Sequence, residues 1–88
     1  MTDQELIGKR IALARKLCKV RQVDLGAVIG VSDQTISNWE VGMRTPRADL
    51  LRKLCIELGC SSDFILGLSD EHGISKEKLY GPSPLSGT

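Results

Sequence analysis

The sequence has few aromatic residues and a single histidine, and this shortage restricts the chemistry that the protein can perform. Its 88 residues include one tryptophan, one tyrosine, one phenylalanine and one histidine. There is no nucleophile with a plausible general base and no glycine-rich loop of the kind that binds phosphate. We therefore expect neither an enzyme nor a bound cofactor.

Patterns for metals, disulfides and membranes are lacking as well. The spacing of Cys18, Cys55 and Cys60 fits neither a zinc knuckle nor a CxxC redox pair, and His72 alone cannot complete a metal site. We expect these cysteines to act as small apolar residues in or near a reduced core. No apolar run approaches the ~20 residues that span a bilayer. The first residues also lack the basic start and apolar stretch of a secretory signal, so we expect a cytoplasmic protein.

The formal charge of +1 conceals an uneven distribution along the chain. Residues 1–53 contain ten Lys or Arg and six Asp or Glu, a net charge of +4, whereas residues 54–88 contain two and five, a net charge of −3. A basic half that faces an anionic polymer and an acidic half that faces away are typical of nucleic-acid binding. The asymmetry is suggestive only, because charged helix faces are usually just solvated.

The apolar residues recur at helical spacing and predict an all-α fold. Apolar residues make up 41% of the chain and charged residues 26%, which is ordinary for one small globular domain. Asp3 is the expected N-cap of the first helix, and Thr45 with Pro46 is expected to begin the fourth. The predicted compact domain spans residues 1–68, and residues 69–88 are expected to form a short flexible polar tail with one helical turn at 75–80. The predicted helices span about 4–18, 22–29, 33–41, 46–58 and 62–66.

Residues 22–41 have the spacing of two short helices that cross in contact. Such a helix-turn-helix needs a small residue where the helices touch, which Gly26 supplies, and a positive φ in the turn, which Gly30 adopts freely. The apolar residues that should hold both helices on the core are Leu25, Ile29, Val31, Ile36 and Trp39. The remaining positions of the third helix are polar and free to meet base edges: Asp33, Gln34, Ser37 and Asn38.

Residues 7–67 resemble the Xre/Cro family of lambda-type repressors. The resemblance is carried by the run Gly-Val-Ser-x-x-Thr-Ile-Ser-x-Trp-Glu-x-Gly-x-Arg-x-Pro over residues 30–46, with Arg15, Gln22, Leu25, Leu58, Gly59 and Ser61. It implies a compact five-helix domain whose third helix enters the major groove of double-stranded DNA. The implied function is a sequence-specific transcriptional repressor that binds a palindromic operator as a homodimer.

The resemblance also implies roles for individual residues. The positions that resemble base-reading residues are Asp33, Gln34, Thr35, Ser37 and Asn38, although Asp33 can equally be explained as support for the start of its helix. Gln22 resembles a residue that binds a DNA phosphate and braces the recognition helix. Arg44 resembles a residue of the loop that binds phosphate, and Arg21 adds a cation beside them. Arg15 and Glu40 resemble a partly buried pair that joins the first helix to the third.

Three residues depart from the family pattern. Arg21 stands where Ser or Thr usually caps the second helix, at a cost of about 1 kcal/mol. Lys19 stands where Gly is frequent, so either it adopts a left-handed conformation or the turn differs. Gly26 replaces the commoner Ala and weakens the second helix slightly. The first two departures leave the phosphate contacts open.

A second interpretation is that the domain works chiefly through a protein partner, as an antitoxin or as the subunit that antagonises another regulator. The proposed tail is poor in apolar anchors for such a partner, which favours a repressor. The surplus apolar residues Leu51, Phe64, Ile65 and Leu68 are expected to form the dimer surface. A repressor with an added protease domain is not expected, unless the 88 residues are a fragment.

Overall fold

The computed structural model describes residues 1–80, which contain six α-helices and no β-strand. None of these helices is both long and apolar enough to cross a membrane. The helices are α1 (Asp3–Leu17), α2 (Gln22–Ile29), α3 (Asp33–Glu40), α4 (Ala48–Leu58), α5 (Ser62–Ile65) and α6 (Lys76–Tyr80). The all-α prediction is confirmed, and α2 has the predicted bounds.

Two helices begin at residues other than those predicted. Helix α1 is capped by Thr2, not Asp3, because the Thr2 hydroxyl accepts the Glu5 N–H while the Glu5 carboxylate accepts the Thr2 N–H. This reciprocal pair satisfies two backbone donors at once, which a single cap cannot do. Helix α4 begins at Ala48 after an N-cap at Arg47, so Thr45 is not its cap. The residue before a proline disfavours helical dihedrals, and residues 44–47 form no helix, with Arg47 itself extended.

The core is formed by side chains from α1, α2, α3, α4 and α5. Trp39 is 3% exposed, and Ile36 and Leu25 are fully buried, as predicted. Phe64 and Ile65 are 3% and 1% exposed, so they belong to the core and are not available to the predicted dimer surface. The buried core comprises Ile11, Ala14, Leu25, Ile29, Ile36, Trp39, Leu54, Leu58, Cys60, Phe64, Ile65 and Ile74.

The cysteines are free thiols at the edge of this core. Cys60 is buried, and Cys18 and Cys55 are half-buried. Burial raises the pKa of all three thiols, and that of Cys60 to about 11, because a thiolate loses its solvation in apolar surroundings. They therefore act as small apolar residues, in agreement with the sequence.

Residues 69–80 lie against the helical body, which differs from the free tail that was predicted. Ile74 is 6% exposed and belongs to the core cluster, and Leu79 packs against that cluster. The Lys78 ammonium donates to the Glu57 carbonyl at the end of α4, with 2.7 Å between Nζ and O. The polar composition of this segment did not indicate that one of its residues, Ile74, would be buried in the core. The predicted flexibility of 81–88 lies outside the described residues.

Candidate nucleic-acid interface

Gly26 of α2 lies against the turn that leads into α3, where the sequence predicted a small residue. A Cβ atom added to Gly26 would lie 2.6 Å from the Val31 carbonyl oxygen and 3.2 Å from the carbonyl carbon of Ser32. Both neighbours are backbone atoms, so neither can rotate away. Gly30 ends α2 with a φ of +86°, and the Val31 N–H bonds back to the Gly26 carbonyl at 2.9 Å. The turn that sets the direction of α3 is therefore fixed by its backbone.

The start of α3 is held by its own side chains. Ser32 is the N-cap, and its hydroxyl accepts the Thr35 N–H and lies 2.9 Å from the Thr35 hydroxyl. The Asp33 carboxylate accepts the Gln34 N–H at 3.0 Å. The predicted support of the helix start by Asp33 is thus present, with one oxygen engaged and the side chain exposed.

The outer face of α3 brings the predicted amides together. Gln34 Nε2 donates to Asn38 Oδ1 at 3.0 Å, across one turn of the helix. Gln34 is exposed, Asn38 and Ser37 are half-buried, and Thr35 is half-buried beside its cap. All five predicted base-reading residues lie within the two turns of α3, and the apolar residues of the same helix, Ile36 and Trp39, are buried in the core.

The end of α3 is joined to the loop that follows it. The Asn38 carbonyl accepts the N–H of Met43 at 3.0 Å and of Arg44 at 3.3 Å. The Arg44 side chain is exposed and forms no hydrogen bond or ion pair within residues 1–80. Arg44 is therefore a free cation anchored by its backbone to the helix that carries the amides.

A buried network joins α1, α2 and α3 at Glu40. The Arg15 and Glu40 side chains are 11% and 7% exposed and form a bidentate ion pair, which raises the pKa of Arg15. Arg15 also donates to the Val20 carbonyl at 2.9 Å, in the loop before α2. Gln22 Nε2 donates to the same carboxylate at 3.0 Å. One N–H of the Gln22 amide is thus bound to Glu40, and its second N–H remains available for another acceptor.

The start of α2 carries the two basic departures from the family pattern. Arg21 has no side-chain cap bond and instead forms an exposed pair with Asp24, with Nε and Oδ2 separated by 2.8 Å. Hydrogen bonding to Arg21 lowers the pKa of Asp24. Lys19 has a φ of +59°, so the first of the two predicted alternatives is correct and the residue adopts a left-handed conformation.

Sequence reasoning missed one feature that positions this surface. A Cβ atom on Gly8 would lie 2.3 Å from the Trp39 carbonyl oxygen, so α1 and α3 approach closely at this position. A glycine within a helix whose neighbours are otherwise good helix formers was the available signal. The resemblance implied that Gln22 braces α3, and the structure gives the partner as the Glu40 carboxylate. Within residues 1–80 no cluster of His, Cys, Asp or Glu is arranged to hold a metal ion.

Comparison with known proteins supports this arrangement. Residues 11–65 match the helix-turn-helix family model. The chain is 42% identical over 64 residues to repressor protein C2 of Salmonella phage P22, covering 73% of this chain and 30% of the relative. It is 31% identical over 81 residues to the 26 kDa repressor protein of Escherichia phage HK022, covering 88% of this chain and 34% of the relative. The chain spans about a third of the length of these curated relatives.

The fold is also shared with a solved structure. The crystal structure of the P22 c2 repressor in complex with synthetic operator 9T aligns with a TM-score of 0.67 and 40% identity, covering 72% of this chain and 96% of that chain. With the family model covering more than half of its residues, the chain belongs to the Xre-type helix-turn-helix family.

Proposed function

We propose that this domain binds double-stranded DNA in a sequence-specific way and acts as a transcriptional repressor. The observation that carries the proposal is the outer face of α3, where free amides lie beside an anchored cation in a fold similar to that of an operator-bound repressor. In this arrangement α3 enters the major groove, which is wide enough for an α-helix. Such a function takes place in the cytoplasm of a prokaryotic cell, where the DNA lies.

The amides of Gln34 and Asn38 have the chemistry to read adenine. An amide accepts from adenine N6 through its oxygen and donates to N7 through its nitrogen. Asn38 Oδ1 already accepts one bond from Gln34, and its second lone pair remains for N6. The two side chains therefore act as a preformed pair, in which Gln34 limits the rotation of Asn38 before DNA arrives.

The other three residues complete the reading surface. Asp33 has one carboxylate oxygen free to accept from a donor such as cytosine N4 while the other supports the helix. Ser37 is half-buried, one turn after Gln34, and can donate to or accept from a base. Thr35, held against Ser32, presents its methyl group to a thymine methyl or its hydroxyl to the DNA backbone.

Arg21, Gln22 and Arg44 are proposed to bind phosphates on both sides of α3. Arg44 follows the end of the helix and has no competing partner within residues 1–80. Gln22 retains one N–H for a phosphate because its other N–H is bound to Glu40. Arg21 must first leave Asp24, an exposed pair that stabilises little. Arg44 is therefore expected to contribute most and Arg21 least.

We propose that two copies bind a palindromic site. A single copy with about six phosphate contacts would bind its DNA site only weakly at physiological salt. With Phe64 and Ile65 in the core, the dimer surface is restricted to the apolar residues left exposed near α4 and α5. Leu51 is half-buried, and Ile56 and Leu68 are 60% and 74% exposed. These three residues are the ones proposed to meet the second copy.

The test is the salt dependence of binding to DNA that is selected from a random pool. Affinity should fall steeply with salt, and Arg44→Ala should lower the slope of log affinity against log salt by about one without altering the sequence preference. Lys76→Ala on α6, outside the proposed surface, is the matched control and should leave the slope unchanged. No selected sequence, or a flat salt response, would contradict DNA binding altogether.

A further inference from the structure

Residues 69–80, which we name the C-terminal clasp, are attached to the helical body at both ends and in the middle. At the start, Arg10 on α1 donates to the Ser69 carbonyl at 3.0 Å and to the Asp70 carboxylate at 2.9 Å. At the end, Lys78 donates to the carbonyl of Glu57. The middle is held by the buried side chain of Ile74 and by His72.

His72 forms the turn that directs Ile74 into the core. Its Nδ1 atom accepts the Ile74 N–H at 2.9 Å, and its own carbonyl accepts the Ser61 N–H at 2.8 Å. The imidazole ring meets the Phe64 ring edge to face, with 5.8 Å between centroids and 89° between planes. An imidazole nitrogen accepts a hydrogen bond only when it carries no proton, so this turn requires neutral histidine with its hydrogen on Nε2.

We propose that the C-terminal clasp is a pH-sensitive element that releases from the body when His72 gains a proton. Histidine is the side chain that ordinarily changes charge between pH 5 and 8. A proton competes with the Ile74 N–H for the same lone pair on Nδ1. Once that lone pair is occupied, two donors face each other, the turn opens and Ile74 loses the geometry that places it in the core.

The charges around His72 act in the same direction. The Arg10 guanidinium lies 4.3 Å from the centroid of the Phe64 ring that His72 contacts, so a second cation is added beside the same ring. The acidic residues nearby are Asp70, which pairs with Arg10, Glu71 in the clasp and Asp63 on α5, and all three are exposed. They can accept the Nδ1–H of an imidazolium only if that atom turns away from the Ile74 N–H, whereas Nε2–H can donate to them in both protonation states. The nearby thiol of Cys60 stays neutral because its pKa is raised to about 11.

Amide hydrogen exchange on the full chain tests this proposal. Protection factors, which compare each rate with that of an unstructured chain at the same pH, should fall about three- to tenfold for Ile74 between pH 8 and pH 5, the equivalent of one hydrogen bond. The Ser61 amide should fall with it, because its bond to the His72 carbonyl breaks only if the clasp moves. The Leu25 amide in α2, bonded to the Arg21 carbonyl, should be unchanged and shows that the body remains folded.

Two variants separate the proton from the side chain. In His72→Asn, the amide oxygen can accept the N–H two residues ahead, as asparagine does in turns, but does not titrate; protection of Ile74 should then stay high at both pH values. In His72→Leu no acceptor remains, and protection should be low at both. Equal protection of Ile74 in the unmodified protein at pH 5 and pH 8, or the same pH response in His72→Asn, would overturn the proposal. Neither result depends on DNA binding.

Discussion

The eight residues of α3 are divided between an inner and an outer face, and the two faces differ in what holds their side chains. On the inner face Ile36 and Trp39 are fully or almost fully buried, and Glu40 joins three helices through a buried carboxylate. On the outer face Gln34 and Asn38 bond chiefly to each other. The inner face is therefore constrained by packing, whereas the outer face can change without cost to the core. This separation allows one fold to present different base-reading side chains.

Truncation of Trp39 should cause the largest loss of free energy, because this side chain fills the core on the inner face of α3. Trp39→Ala should lower the free energy of unfolding by about 3–5 kcal/mol, as truncation of a large core residue leaves a cavity. That is a large share of the about 5–15 kcal/mol that domains possess. Thermal or urea denaturation monitored by circular dichroism measures the loss.

Tryptophan fluorescence of the unmodified protein checks the same assignment. The emission should be blue-shifted in the free protein and nearly unchanged when DNA is added, because Trp39 is 3% exposed and points away from the outer face. A red-shifted emission that DNA quenches would mean that α3 is rotated about its axis. The base-reading residues proposed above would then be wrong as a group.

Truncation of the outer amides should give the opposite result. Gln34→Ala or Asn38→Ala should weaken binding to the selected DNA by about 1–3 kcal/mol and change binding to random DNA little. Stability should be almost unaffected, since only the bond between the two side chains is lost. Gln4→Ala, the same truncation at an exposed position of α1, is the control. Equal losses on both DNAs would identify the amides as phosphate contacts.

Asp33 should show the smallest effect, because one of its oxygens serves the helix and the other the proposed DNA contact. Asp33→Asn retains an acceptor for the Gln34 N–H but removes the negative charge near the helix start, which is worth about 0.3–1 kcal/mol in stability. Discrimination should relax at a single base pair of the site, as measured by competition among single-base variants. Reduced stability with unchanged discrimination would leave Asp33 with the supporting role alone.

Local sequence rules explain why the bounds of α2 and the start of α3 could be predicted. Helix α2 runs from Gln22 to Ile29 as expected, and α3 begins at Asp33 behind the Ser32 cap. Both are short helices bounded by a glycine or a capping serine, and the apolar spacing on each is unambiguous. Lys19 stands where the family often has Gly, and a non-glycine residue there must either adopt a positive φ or change the turn. The structure shows the first of these two alternatives, with a φ of +59°.

The errors share a different cause. Thr45 and Pro46 form a favourable helix start in isolation, but both lie in the loop between α3 and α4, and the helix begins only at Ala48. Phe64 and Ile65 were read as surplus apolar residues because the sequence does not show how many the core can accommodate. Ile74 was placed in a free tail because its neighbours are polar, although its buried side chain, the turn at His72 and the bonds of Arg10 and Lys78 attach the segment to the helical body.

The sequence alone determined the all-α class, the position of the helix-turn-helix and the residues on each face of α3, because these depend on spacing, caps and glycines within a few residues of one another. The tertiary structure decided which partners meet across the chain. The pairing of Arg15 with Glu40 was expected from the family resemblance and is confirmed. The contact of Gly8 with the Trp39 carbonyl, the hydrogen bond from Gln22 to the Glu40 carboxylate, and the place of Ile74 in the core all join residues far apart in sequence. Such contacts are set by how whole helices pack, and no local pattern records them.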